Sequence, residues 1–305
     1  MSSHSAVLRR ADRPAHRAAR GLTALAVVVS AAFAAGCAPQ PEPSSSAAGP
    51  AAPGDACPKG ELATETAGKL TVGTDKPAYA PWFKDDNPEN GQGYESAVAY
   101  AVAEKLGYAK QDVVWRTVAF NNAFAPGQKK FDFDLSQISI SESRKKAVDF
   151  SSGYYDVRQT VVALKNSKAA KATSVADLKG VKLGAQVGTT SLDVINEVIR
   201  PGERPAVYQK NDLAKAALKN GQVDAIVVDL PTAFYITGAE VPEATVVGQF
   251  EDTPGRAEQF GLVLDKGSAL TGCVSGAVDA LRKDGTLAQL EKQWLADAVD
   301  APVLK

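Results

Sequence analysis

Histidine is almost missing from this chain. The only two, His4 and His16, fall near its start. The remainder therefore has no Ser-His-Asp or Cys-His catalytic set and no His-based metal site. Cysteine is nearly as scarce, with three residues and no Cys/His cluster. There is no Walker-type glycine-rich loop to cradle phosphates. An excess of positive charge is also lacking: 34 Lys and Arg face 35 Asp and Glu, for a formal net charge of -1. That excludes a strongly basic nucleic-acid binder. These absences point to binding rather than turnover, with no cofactor and no metal. What is present suits a globular body: 305 residues, the length of one to two domains, 45% hydrophobic and 23% charged.

The first segment reads as an export signal. Arg9, Arg10, Arg13, Arg17 and Arg20 form a basic head, and the run 22–33 (LTALAVVVSAAF) is apolar. This run is shorter than the ~20 residues that span a bilayer. Small residues then lead to Cys37, as Ala34-Ala35-Gly36-Cys37. That end resembles the lipobox of bacterial lipoproteins, in which the cysteine is acylated and becomes the new N-terminus. Ala34 departs from the usual leucine. The alternative is a plain signal peptide cut near Gly36. Residues 1–36 are thus expected to be a lipoprotein signal and 37–56 a lipid-anchored linker. The stretch APQPEPSSSAAGPAAPGD is rich in Pro, Ser, Ala and Gly and lacks apolar periodicity. Fully extended as polyproline II, these residues reach only ~56 Å, so the body stays close to the membrane. No later stretch is apolar for ~18 residues.

Setting Cys37 aside leaves Cys57 and Cys273, most simply one disulfide in an oxidising compartment. Two unrelated buried thiols are the alternative. A loop this long implies about 4–5 kcal/mol of stabilisation in the chain-entropy model.

Short apolar runs at 70–74, 113–118, 131–136, 160–164, 181–187, 206–209, 224–228, 244–247 and 260–264 read as strands. Helical patterns lie between them. Residues 95–106 place Val98, Ala101, Val102 and Leu106 on one stripe, and 213–218 follow a possible cap at Asp212. Thr286-Leu287-Ala288-Gln289 reads as a capping box before a stripe of Leu287, Leu290 and Trp294. This alternation predicts an α/β architecture of mostly parallel sheets flanked by helices. The similar runs 160–164 and 260–264 bracket a domain-sized block. Residues 57–160 plus 260–305 are therefore expected to form one lobe and 161–259 the other, joined by two hinge crossovers. A ligand then binds between them, at strand C-terminal ends.

Four places could carry chemistry. After the run 181–187 come Gly188-Thr189-Thr190-Ser191, opening a helix with Leu192, Ile195 and Ile199 on one stripe. Unpaired N–H groups, the helix dipole and hydroxyls together make an anion site there. The structural alternative is that Thr190 or Ser191 is only an N-cap. After 131–136 come Gln137, Ser139, Ser141 and Arg144. Ser139 and Arg144 could grip a carboxylate, or Arg144 could be a solvated member of the basic run with Lys145 and Lys146. Asp229 ends the run 224–228 and suits an ammonium group, or caps the next helix. Asp75, Tyr79 and Trp82 lie on the loop after the first strand, and Phe120 on another; the aromatics wall a small-molecule site or pack a lobe surface. Carboxylate donors, one acid and an aromatic wall form the complement of an α-amino acid.

Six segments in register resemble the bacterial family 3 solute-binding proteins, the polar amino-acid receptors of ABC importers. They are VGTDKPAYAPW, GYESAVAYAVAEKLG, FDFDLSQISISESRKKAVDFSSGYY, LKGVKLGAQVGTTS, NGQVDAIVVDLPTAFY and ALRKDGTLAQLEKQWL. The resemblance implies a two-lobed periplasmic-binding-protein fold of type II. It implies a monomer that delivers a small-molecule amino acid to ABC transporter permease subunits, outside the membrane and with no nucleic-acid partner. On this chain it implies that Arg144 clamps the ligand carboxylate, with help from Ser139 and the Thr190 region. Asp229 would take the α-ammonium, Tyr79 and Trp82 would stack over the side chain, and Asp75 would touch its polar end. Ser96 and Ala97 depart from the family's aliphatic residue and second acid, on a helix expected to be scaffold. Gln137 stands where a smaller residue is common.

Overall fold

A computed structural model describes residues 57–251, 257–295 and 301–305. The expected signal (1–36), Cys37 and the expected linker lie outside the described residues.

Ten strands form two five-stranded sheets. The first sheet has β1 (Leu70–Thr74), β2 (Val113–Thr117), β3 (Phe133–Asp134), β4 (Val148–Val157) and β10 (Glu258–Asp265), in the order β2-β1-β3-β10-β4. The second has β5 (Gln159–Leu164), β6 (Leu183–Gln186), β7 (Ala206–Tyr208), β8 (Ala225–Asp229) and β9 (Ala244–Gln249), in the order β7-β6-β8-β5-β9. Helix α1 (Tyr94–Lys105), the short α2 (Phe120–Ala123), α3 (Thr190–Asp193), α4 (Asn211–Lys219), α5 (Leu230–Tyr235), α6 (Thr271–Lys283) and α7 (Thr286–Trp294) complete the order.

Both sheets are mixed, where mostly parallel sheets were expected. In the first, β1 pairs in parallel with β2 and β3, but β10 is antiparallel to β3 and β4. The second repeats this: β6 is parallel to β7 and β8, while β5 is antiparallel to β8 and β9. The cause is topological. Strands β1, β3, β6 and β8 end where the two sheets face each other. The strands that carry the chain across, β5 and β10, begin at that same edge and must run the other way.

Alternation of side chains fills the cores. Along β8, Ala225 and Val227 enter one apolar cluster and Ile226 and Val228 another, so the second sheet is covered on both faces. In the first sheet, Leu70, Val72, Phe133, Leu135 and Phe260 pack with Val98 and Val102 of α1 and Val274 and Val278 of α6. Cys57 is bonded to Cys273 on α6, with Cα atoms 5.7 Å apart.

Other local expectations shift. Of 131–136 only Phe133–Asp134 pairs as strand. Asp212 is the second residue of α4 rather than its cap. Thr286 begins α7, and Asp284 Oδ1 accepts from the Thr286 backbone N–H at 3.0 Å and hydroxyl at 2.6 Å, replacing the capping box. The last residues, expected in the first lobe, lie on the second sheet. Gln249 N–H donates to Pro302 O at 2.8 Å, Leu304 N–H donates to Gln249 O at 2.9 Å, and Leu304 is buried in that sheet's core. An open backbone edge at Gln249 and the apolar side chain of Leu304 together draw the tail there.

Candidate ligand-binding cleft

Strand ends from both sheets converge on one cleft. Thr74 and Asp75 follow β1, Ser136 and Gln137 follow β3, and Gln186, Thr189 and Thr190 follow β6. Asp229 ends β8, and Tyr79, Phe120, Arg144 and Asn211 also line it.

Arg144 opens a single 3-10 turn, and the hydroxyl of Ser141 accepts from its backbone N–H at 3.3 Å. Its side chain is 9% exposed, not a solvated member of the basic run. Nη1 donates to Ser139 O at 2.6 Å, and Nη2 donates across the cleft to Gly188 O at 2.8 Å. The guanidinium carbon lies 4.3 Å from the ring centroid of Phe124 and 5.8 Å from that of Phe120. Burial pushes its pKa down, yet an arginine stays charged. Among the described residues no carboxylate oxygen comes within ion-pairing distance of it. The charges of Asp193, Glu258 and Asp229 act on it only from a distance, so a buried cation lacking a direct ion pair favours an anion placed against it.

Opposite, Thr189 rather than Thr190 or Ser191 caps α3, its hydroxyl oxygen accepting from Leu192 N–H at 3.2 Å. Thr190 lines the cleft, its hydroxyl oxygen 3.3 Å from Ser139 Oγ and accepting from Gln159 Nε2 at 3.3 Å. Gly188 has φ 77°, and a Cβ there would sit 2.1 Å from Asn121 Oδ1. Only glycine fits between strand and helix without strain.

Asp229 accepts from Gln159 Nε2 at 2.7 Å. The same Nε2 lies 3.2 Å from both carboxylate oxygens of Glu258, and Ser191 donates to Gln159 Oε1 at 2.6 Å. Burial, then the charge of Glu258, pushes the Asp229 pKa up to about 8. Gln159 and Glu258 escaped the sequence reading because they sit where the chain crosses between sheets, and they read as the polar flanks of apolar strands.

Glu95 was missed as well. It is fully buried at the start of α1 and accepts from Gln137 N–H at 2.7 Å. It also accepts from the Gln137 side-chain amide and the Tyr154 hydroxyl. Burial pushes its pKa up to about 7 against these donors. The scaffold helix therefore holds a cleft residue. Gln137 needs that hold, since its φ is 53°, a region that a side chain disfavours.

Two expected residues are not in the lining. Trp82 is fully buried among Tyr94, Tyr155 and Phe260, with centroids 5.4–6.0 Å away. The turn before α1 turns the indole inward, with Glu95 N–H donating to Trp82 O at 2.9 Å. Its Nε1 donates to Thr232 Oγ1 on α5 at 3.0 Å, so it touches the other sheet's layer rather than a ligand. Ser139 lies behind Arg144, its carbonyl on the guanidinium and its hydroxyl on Glu258. Tyr79 and Phe120 do line the cleft, and the Tyr79 hydroxyl is buried beside Asp212. Asp75 lines it too, its backbone N–H donating to Ser136 Oγ at 2.9 Å.

A probable histidine-binding protein of Campylobacter jejuni is 30% identical over 233 residues, covering 74% of this chain and 84% of that protein. An L-arginine-binding protein of Pseudomonas aeruginosa is 29% identical over 250 residues, covering 78% and 95%. The solved structure of an ancestral arginine-binding protein bound to arginine has 31% identity and a TM-score of 0.62, covering 74% of this chain and 98% of that one. The arginine-, lysine-, histidine-binding protein ArtJ of Geobacillus stearothermophilus has 26% identity and a TM-score of 0.63, covering 75% and 95%. The model of the bacterial extracellular solute-binding proteins, family 3, matches residues 70–297. With this match spanning both sheets and the cleft between them, the chain belongs to that family.

Proposed function

We propose that this protein captures a polar L-amino acid outside the membrane, between its two sheets, and hands it to the permease subunits of an ABC importer. The observation that carries the reading is Arg144, a buried guanidinium without a carboxylate partner among the described residues, in the same cleft as Asp229. An α-carboxylate supplies the missing anion, bound bidentately. Thr189 and Thr190 close on it from the second sheet. Asp229 receives the α-ammonium, while Tyr79 and Phe120 enclose the side chain. Ser139 acts through Arg144, whose guanidinium its carbonyl holds. Burying a zwitterion requires both charges to be paired, so the cleft selects for the amino-acid head group. Relatives named for histidine, arginine, cystine and glutamine support this class of ligand.

Calorimetry on Arg144→Ala and Asp229→Ala tests the reading. Each loses about 2–5 kcal/mol of binding, at least ~30-fold in Kd, because the ligand charge is left unpaired. Normal binding by either variant removes that residue from the site. A thermal-shift screen of the twenty amino acids identifies the ligand, since a tight ligand raises the melting temperature by mass action.

A second reading is an enzyme of the dehydratase type, and two observations favour it. Asp229 and Glu258 share one amide, and Asp229 holds a proton at neutral pH. A related structure, 32% identical with a TM-score of 0.62, is an ancestral amino acid-binding protein described as a precursor of cyclohexadienyl dehydratase. Incubation with a cyclohexadienyl acid is expected to give no turnover; product formation would make this protein an enzyme. We further propose acylation at Cys37, with a single body held to the outer face of the membrane as a monomer. Cys37→Ser is expected to release the protein into the medium.

A further inference from the structure

At Asp75, a lining residue of the cleft, a charge pair joins the layers of the two sheets. Asp75 follows β1 in the first sheet. Lys210 precedes α4 in the second. Lys210 Nζ lies 3.7 Å from Asp75 Oδ1 and also donates to the carbonyl of Lys76. The Asp75 side chain is 15% exposed and that of Lys210 42%. Lys76 N–H donates to Asp75 Oδ1 at 2.6 Å, fixing the carboxylate toward the lysine.

We infer that Lys210 is a specificity-determining residue, which answers the charge of Asp75 so that the cleft prefers an amino acid with an uncharged, hydrogen-bonding side chain. This inference rests on the amino-acid receptor reading above. A cationic side chain reaching Asp75 would have to displace Lys210 or lie beside it, and like charges at close range repel. An anionic side chain would meet Asp75 in turn. A neutral amide meets neither penalty, and it can both donate to the carboxylate and accept from the ammonium. The other polar groups of the cleft suit it: Thr74, Ser136, Gln137, Gln186 and Asn211 are uncharged donors and acceptors.

Calorimetry of the intact protein with L-glutamine, L-glutamate and L-arginine tests this. The wild type is expected to bind L-glutamine at least ten times more tightly than either charged probe. Lys210→Met removes the cation and is expected to raise the relative affinity for L-arginine at least tenfold. Adding Asp75→Asn to that variant abolishes the gain. Lys210→Gln, an uncharged polar replacement at a half-exposed position, is expected to shift the preference in the same direction and guards against a folding defect. A wild type that prefers arginine or glutamate, or an arginine-to-glutamine ratio unmoved in both lysine variants, overturns the role of Lys210 and leaves the receptor reading standing. Failure to bind any of the twenty amino acids overturns the receptor reading and this inference with it.

Discussion

A carboxyl group with its pKa pushed up to about 8 holds its proton at neutral pH, and Asp229 is such a group. An arriving ammonium favours the charged form, so binding expels that proton. Affinity for an amino acid should therefore tighten as pH rises from 6 to 8, by up to about tenfold per unit, and level off above 8. Calorimetry in two buffers of different ionisation enthalpy would count the proton released. Removing a neighbouring charge with Glu258→Gln should move the midpoint down, because Glu258 is the second cause of the shift. The consequence for folding has the opposite sign. Ionising Asp229 costs the folded state, so its contribution to stability falls as pH rises from about 4 to 8. Gly188 gives a steric counterpart. Gly188→Ala places a Cβ against Asn121 at a φ of 77°. We expect about 1–2 kcal/mol of cost, read as weaker ligand binding and a lower melting temperature.

Elements differ in how clearly the sequence announces them. The run 70–74 is apolar and bounded by polar residues, and it appears unchanged as β1. The helix predicted over 95–106 appears as Tyr94–Lys105 and stops before Gly107, although Glu95 and Ser96 share its buried face with Val98 and Val102. Two long elements went unread. Strand β4 mixes buried and half-exposed positions, and its pairing with β10 shifts register twice, so its residues keep no period of two. Helix α6 carries Gly272 and Gly276, which depress helix propensity although Val274, Ala277, Val278 and Leu281 form a buried stripe. Those glycines give a prediction at this scale. A Cβ at either position meets nothing within 4 Å. Gly272→Ala and Gly276→Ala should each stabilise the fold by up to about 1 kcal/mol, seen as a higher denaturation midpoint with unchanged ligand affinity. In the cleft, Asp229 was legible because it ends an apolar strand, and Arg144 because it follows a serine-rich turn after another. Trp82 was misread because an aromatic on a loop looks the same whether it faces a ligand or a core. Glu95 was read only as part of the scaffold, since a buried acid at a helix start shows no partner until the chain has folded.

At the scale of the whole molecule, closure depends on a few bonds from one sheet's layer to the other. Arg144 reaches Gly188 O, and Trp82 Nε1 reaches Thr232 Oγ1, with Thr232 8% exposed. Thr232→Val leaves the indole N–H buried and unpaired when the cleft is shut, at a cost of about 1–3 kcal/mol. An open form lets water satisfy that donor. Ligand affinity should therefore drop about five- to a hundred-fold, while the melting temperature of the unliganded protein changes little. The tail bears on measurement of this motion. Cys57 is fastened to α6 beside the first sheet, whereas Pro302 and Leu304 are bonded to Gln249 of the second. The front of the body and its last residue thus ride on opposite jaws. A donor dye placed just ahead of Cys57 and an acceptor fused after Lys305 would change their energy transfer each time the jaws meet, making these two positions a gauge of ligand capture.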